Sequence, residues 1–135
     1  MKLDYIFESA LYVTDLAAAE KFYESLLNAP AFAAGENRHI FFKLRHGMLL
    51  LFDPRGTDSP DADLPPHGAV GRGHLAFRVA EDDLDQWRAR LADLNIPIEK
   101  EWTWPNGAPS VYFRDPSGNL LELTVGKLWG FQDGE

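Results

Sequence analysis

The stretch that decides the fold is residues 8–30, ESALYVTDLAAAEKFYESLLNAP, because its plan returns at residues 73–97, GHLAFRVAEDDLDQWRARLADLNIP. Each copy opens with a short strand of alternating character, continues into a helix, and ends at a proline, which cannot prolong a helix. Apolar residues recur along one face of each predicted helix. The candidate N-caps are Thr14 or Asp15 in the first helix and Asp82 or Asp83 in the second.

Extended segments follow each helix and end in a hairpin, FFKLRHGMLLLFD at 41–53 and SVYFRDPSGNLLELTV at 110–125. In the second hairpin, DPSG places proline and glycine where a type I turn favours them. The sequence therefore predicts an α+β fold of two βαβββ modules in tandem. Their bounds are about 1–54 and 72–128, with a Pro-, Gly- and Asp-rich linker at about 55–71 and a tail at 129–135.

The amino-acid composition excludes several classes of function. The chain of 135 residues has a net charge of −8 and no cluster of Lys or Arg, so we exclude nucleic acid as a partner. No run approaches the ~18 apolar residues of a membrane span, and the start lacks a signal-peptide pattern. With no cysteine, disulfides and thiolate ligands are absent. We expect a cytoplasmic protein.

Superposing the two halves brings out a set of polar residues. Matching Ala10 to Ala76 places Glu8 opposite His74, and matching Gly47 to Gly118 places Leu51 opposite Glu122. Three of these four equivalent strand positions thus carry metal-ligand types. By strand alternation, each of the three lies opposite the more apolar face that should meet the helix. We expect them to line a concave surface.

Two carboxylates and an imidazole that converge would repel and lose solvation unless a cation joined them. A divalent metal held by Glu8, His74 and Glu122 would resolve this and keep coordination positions open for substrate. This donor set favours Mn, Fe, Co, Ni or Zn. Singly, each residue also has a structural explanation, as a solvated glutamate, a hydrogen-bonded histidine or an outward-facing strand residue.

The segments ALYVTDLAAAEKFYESLL at 10–27, GHLAFRV at 73–79 and YFRDPSGNLLEL at 112–123 resemble the vicinal oxygen chelate superfamily. That superfamily holds glyoxalases, extradiol dioxygenases, fosfomycin-resistance transferases and bleomycin-resistance proteins. The resemblance implies curved mixed sheets around a cavity that a homodimer completes, and it implies that Glu8, His74 and Glu122 occupy the metal-ligand positions. Glu8 departs from the usual His or Gln there, and its added charge should weaken the metal as a Lewis acid.

The resemblance does not select one reaction. Glyoxalases place a fourth ligand, a carboxylate, where Leu51 stands, and extradiol dioxygenases use two His and one carboxylate. Fosfomycin transferases share the Tyr112 position, but this chain has Ala10 where they carry Thr and Phe131 where they carry a phosphonate-binding Arg.

Further residues are expected to line the substrate pocket. Trp102, Trp104 and Tyr112 offer an aromatic wall or plain sheet packing, and Arg78 offers an anion contact or a pair with one of the many acids. His67 is a candidate lid residue, and Trp129 and Phe131 are expected to pack on a partner chain. The full expected substrate-binding set is Tyr12, Leu51, Arg78, Trp102, Trp104 and Tyr112.

The leading hypothesis is a metal-dependent enzyme that acts on a small oxygen-bearing molecule. The metal would chelate vicinal substrate oxygens and stabilise an oxyanion or enolate, in a lyase, isomerase, transferase or oxygenase reaction, with Glu8 or Glu122 as catalytic base. The alternative is a metal-free protein that sequesters a drug, as bleomycin-resistance proteins do, since cationic drugs suit an acidic chain.

Overall fold

The computed structural model describes residues 1–61, 63–132 and 134–135, and it divides into two compact units, Met1–Gly73 and His74–Glu135. The first unit contains β1 (Glu8–Tyr12), α1 (Leu16–Leu27), β2 (Ala33–Gly35), β3 (His39–Lys43), β4 (Met48–Phe52) and α2 (Pro54–Thr57). The second contains β5 (His74–Val79), α3 (Leu84–Asp93), β6 (Lys100–Thr103), β7 (Pro109–Arg114) and β8 (Leu120–Val125).

Each unit holds one mixed sheet of four strands. The strand orders are β1-β4-β3-β2 and β5-β8-β7-β6. In both sheets the first strand pairs in parallel with the last strand, and the other pairs are antiparallel. A helix crossover between the parallel strands is the connection such pairs require. The prediction of two tandem βαβββ modules is confirmed.

Helix α1 begins where the sequence allowed two N-caps. Asp15 takes the cap, because its side chain accepts a hydrogen bond from the backbone N–H of Ala18 at 3.0 Å. The helix ends at Asn28, which adopts a left-handed conformation with φ 53°. Tyr23, which is fully buried, packs on Phe42 with ring centroids 6.2 Å apart, so α1 covers one face of its sheet.

Helix α3 begins differently from the expectation. A 3-10 turn at Glu81–Asp83 leads into it, and Asp83 occupies the N-cap without a side-chain cap hydrogen bond. Asp82 lies inside the turn, so it is not the cap. The helix buries Leu84 and Leu91 in the core of the second unit.

The expected linker belongs to the first unit. Asp53 caps α2 by accepting a hydrogen bond from the backbone N–H of Arg55, and the Arg55 side chain pairs with it at 2.7 Å. The hydrogen bond to the Arg55 side chain is the main reason that the pKa of Asp53 is lowered. Further along, the N–H of His67 donates to the carbonyl of Thr57 at 3.2 Å. In the described ranges, no helix has the length and apolar character of a membrane span.

The two hairpins differ in length by one residue, and this corrects the superposition of the modules. Lys43 pairs with Met48, so the first loop is 44–47, whereas Arg114 pairs with Leu120, so the second loop is 115–119. An alignment of the two modules on Gly47 and Gly118 is therefore wrong by one residue in the last strand of each sheet.

The correct equivalent of Glu122 is Leu50. Glu122 pairs with Ala76, and Leu50 pairs with Ala10 in the other sheet. Leu51 pairs with Leu11 and is 0% exposed, on the face opposite Ala10. The expectation that Leu51 contacts substrate is therefore wrong, although the fourth position is still a leucine.

Candidate metal and substrate site

One face of the second sheet carries most of the predicted site residues. Directly paired residues share a face, and the register aligns them in three rows across the sheet. The rows are His74, Leu120 and Arg114; then Ala76, Glu122, Tyr112 and Lys100; then Arg78, Thr124, Ser110 and Trp102.

His74 presents one ring nitrogen to Glu122. Its Nδ1 lies 2.9 Å from the backbone carbonyl oxygen of Leu120, and a carbonyl only accepts, so Nδ1 carries the proton. In the neutral ring this leaves the lone pair on Nε2, which is 3.5 Å from Oε2 of Glu122. The ring is half exposed, so Nε2 is accessible to a ligand from solvent.

Glu122 is a buried carboxylate with an unsatisfied atom. The residue is 5% exposed, and its Oε1 has no hydrogen-bond partner in the described part of the chain. An unpartnered buried oxygen on a charged group is costly. Its neighbour Tyr112 lies directly across the strand pair, and burial, followed by the hydrogen bond and negative charge of Glu122, raises the pKa of that phenol.

These contacts fit a divalent cation. A lone pair on Nε2 and a carboxylate oxygen repel each other unless a proton or a metal ion lies between them, and Oε1 remains free for a further bond. A backbone carbonyl that fixes the tautomer of the histidine is the usual support of an imidazole ligand. One nitrogen and one carboxylate suit Mn, Fe, Co, Ni or Zn.

Glu8 does not join this pair within the chain. It lies exposed at the first position of β1, opposite Met48, which is the register position that His74 holds opposite Leu120 in the other sheet. In residues 1–61, 63–132 and 134–135, no three His, Asp or Glu side chains gather as a metal site. The structure thus brings together two of the three predicted ligands.

Arg78 is engaged by the tail of the chain. Its two terminal nitrogens donate to the backbone carbonyls of Glu135 and Gln132, each at 2.6 Å. Its guanidinium also lies 5.8 Å from the ring centroid of Phe131. From the sequence we expected Arg78 to contact a substrate anion or an acidic side chain. The sequence did not predict its contacts with the tail. Phe131 and Trp129 are exposed, at 54% and 78%.

The two tryptophans differ in their surroundings. The indole N–H of Trp104 donates to Oγ of Ser110 at 2.9 Å, and that hydroxyl donates to Oγ1 of Thr124 at 3.2 Å. Trp102 is 49% exposed beneath the ammonium of Lys100, 5.3 Å from its ring centroid. Trp104 is therefore tied into the sheet, and Trp102 is the more open of the two.

The first sheet carries an aromatic cluster that sequence reasoning largely missed. Tyr12 is hydrogen-bonded through its hydroxyl to Nδ1 of His67 at 2.7 Å, and His67 packs edge-on to Phe52 at 4.7 Å. His39 and Phe41 stack at 4.2 Å on the same face. Strand alternation in HIFFK would have placed both on that face, but only the fold brings His67 to them.

Comparison with known proteins decides the family. Residues 2–123 match the sequence model of the Glyoxalase/Bleomycin resistance protein/Dioxygenase superfamily. The chain belongs to this superfamily. The resemblance drawn from the three sequence segments is therefore confirmed.

The chain is similar to two transferases and one lyase. The chain is 30% identical to the metallothiol transferase FosB of Bacillus licheniformis over 118 residues, 87% of this chain and 72% of FosB. It is 46% identical over 55 residues to the glutathione transferase FosA of Serratia marcescens, covering 41% and 38% of the two chains. A crystal structure of lactoylglutathione lyase from Agrobacterium tumefaciens superposes with a TM-score of 0.92 at 44% identity, covering 97% of this chain and 100% of the lyase.

Proposed function

We propose that this superfamily member is a divalent-metal-dependent enzyme acting on vicinal oxygens of a small molecule, in a thiol-transfer or thiol-adduct lyase reaction. The observation that carries the proposal is the pair formed by Nε2 of His74 and Glu122, with its unpartnered Oε1. The names of similar proteins, metallothiol transferase, glutathione transferase and lactoylglutathione lyase, support the thiol chemistry.

In this proposal His74 and Glu122 hold the metal from one chain, and Glu8 of a second copy supplies the third ligand. The equivalent register positions of Glu8 and His74 support its inclusion. Leu50 stands at the fourth position, so three protein ligands would hold the metal and leave it open to substrate oxygens. When bound, the metal supplies a Lewis acid that stabilises negative charge on those oxygens.

The residues around the pair then have separate tasks. Tyr112 keeps its proton, because burial and Glu122 raise its pKa, and it donates that proton in a hydrogen bond to Glu122, which orients the carboxylate that would hold the metal. Glu122 is buried beside Tyr112, whereas Glu8 is exposed and has room to exchange a proton with substrate. We therefore assign the role of general base to Glu8.

Titration of chelator-stripped protein with Mn²⁺, followed calorimetrically, tests the proposal. His74→Ala and Glu122→Gln should each weaken binding by ~10-fold to 100-fold or more, because each removes a donor. His46→Ala and Glu36→Gln are matched controls, since both residues are exposed on the first unit. Equal, weak binding by wild type and all variants would refute the metal site. Drug binding unaffected by chelator would then favour the sequestering alternative.

A further inference from the structure

We infer that the open face of the first sheet is a binding site for a flat, uncharged aromatic group carried by the substrate. The inference rests on the proposed function, because it places this group next to the oxygens that the metal would hold. The residues that carry it all lie in the first unit. We call this surface the aromatic face and define it as Ala10, Tyr12, Ala33, His39, Phe41, Leu50, Phe52 and His67.

The middle row of the aromatic face has a small side chain at each end. Ala10, Leu50, Phe41 and Ala33 are paired across the four strands, so they form one row. Ala10 and Ala33 are on the two outer strands of the sheet, and Ala10 is exposed. We call the space that the small side chain of Ala10 leaves beside Leu50 and Tyr12 the recess. Ala10 lies two residues from Glu8 on the same face, ~7 Å along the strand. A group attached to metal-bound oxygens near Glu8 would therefore reach the recess.

Rings form the wall of the recess on the side away from Glu8. Phe52 is the hub, with the ring centroids of Phe41, His39 and Tyr12 at 5.4, 6.4 and 6.2 Å. Phe52 itself is buried, while these three neighbours are half-buried and so retain open ring surface. Flat rings gain from offset stacking and edge contacts with such a wall.

The polar groups on the aromatic face favour a neutral occupant. His39 accepts a hydrogen bond at Nδ1 from Arg38 at 3.0 Å, and burial and then the charge of Arg38 lower its pKa, so the ring is neutral. The Arg38 guanidinium lies over Phe52, 5.6 Å from its centroid, so a cationic group on the occupant would be repelled. Tyr12 fixes one nitrogen of His67, and the other has no partner in the described residues, so it is available to a polar substituent on the ring.

Two hydroxamates of the same chelating group test the inference on the Mn²⁺-loaded protein. Acetohydroxamate presents vicinal oxygens with a methyl group, whereas benzohydroxamate presents them with a flat ring. We expect benzohydroxamate to bind about tenfold tighter or more, because the ring buries apolar area on the aromatic face. Cyclohexanecarbohydroxamate, which is of similar size but not flat, should recover only part of that gain.

Substitutions test whether the higher affinity for benzohydroxamate comes from the aromatic face. Ala10→Phe fills the recess and should abolish the preference for the aryl compound while acetohydroxamate still binds. Ala34→Phe is the matched control, because Ala34 is exposed on the opposite face of β2 and should leave the preference unchanged. Should Ala10→Phe fail to fold, Phe41→Leu removes a stacking ring and should reduce the preference severalfold.

The outcomes separate the two claims. If neither hydroxamate binds the metal-loaded protein, the proposed function and the inference both fall. If acetohydroxamate binds but the aryl compound gains nothing, or if Ala10→Phe leaves the gain intact, only the inference falls. A change of oligomeric state in Ala10→Phe with no effect on the preference would assign the face to a second copy and overturn the inference.

Discussion

Nε2 of His74 lies 3.5 Å from Oε2 of Glu122, while Nδ1 of the same ring is held by the carbonyl of Leu120 at 2.9 Å. The imidazole is thus oriented by the backbone of the strand that also carries the carboxylate. When the ring is neutral, two groups that both accept hydrogen bonds face each other, and one oxygen of the buried carboxylate has no hydrogen-bond partner among the described residues. This arrangement is unfavourable with nothing between the two groups, and a cation between them makes it favourable.

Glu122→Gln should stabilise the metal-free protein. The change removes the charge from a buried group whose Oε1 has no hydrogen-bond partner among the described residues, so we expect the free energy of unfolding to rise by about 1 kcal/mol. Urea denaturation in the presence of chelator measures it. A carboxylate kept only for structure would instead lose stability on this change, and the same variant should lose the stabilisation that Mn²⁺ gives to wild type.

Mixing two inactive variants should restore metal sites if the third ligand comes from a second copy. When the Glu8→Gln and His74→Ala variants are unfolded together and refolded, some dimers contain one chain of each variant. In these hybrid dimers, one of the two shared sites has all three ligands. Random pairing makes about half of the dimers hybrid, so ~25% of wild-type sites should return. Counting bound Mn²⁺ measures this. No recovery from well-folded mixtures would place all ligands in one chain.

The pKa of Tyr112 should report on metal binding. In the metal-free protein, burial and then the hydrogen bond and charge of Glu122 raise it. Because the raised pKa favours the neutral phenol in the folded state, the stability it contributes is present below the ordinary tyrosine pKa and is lost as pH rises through the folded value. A cation on Glu122 cancels part of that charge, so the pKa should fall on metal binding.

Phenolate absorbance, titrated with and without a metal that remains soluble and bound at alkaline pH, measures the shift. Tyr112→Phe identifies which of the 4 tyrosines is responsible. A titration of wild type that does not move on metal loading would contradict contact between the metal and Glu122.

Arg78→Met should free the tail without weakening Mn²⁺ binding. The guanidinium holds the carbonyls of Gln132 and Glu135, so its loss should increase hydrogen exchange of the tail amides severalfold. Arg72→Met, at an exposed loop position, serves as the control. If Arg78 instead contacts substrate, as the sequence suggested, the variant would change substrate affinity while tail exchange stayed the same.

The sequence predicted the two modules because helical periodicity, caps and prolines act locally. It could not predict the hairpin register, since one additional loop residue moves the equivalent of Glu122 from Leu51 to Leu50. The sequence also could not predict contacts between residues that are far apart in the chain. Tyr12 contacts His67, 55 residues away, and Arg78 contacts Glu135, 57 residues away. Such contacts depend on how loops return to the sheet, which no local pattern encodes.

The proposal that Nε2 of His74 binds the metal is tested most directly by electron spin-echo spectroscopy of the Mn²⁺-loaded protein. Coordination through Nε2 predicts modulation from a directly bound imidazole nitrogen, altered by ¹⁵N labelling of histidine, absent in His74→Ala and retained in His39→Ala. Mn²⁺ that binds without a nitrogen coupling, or a coupling that survives His74→Ala, would contradict the account.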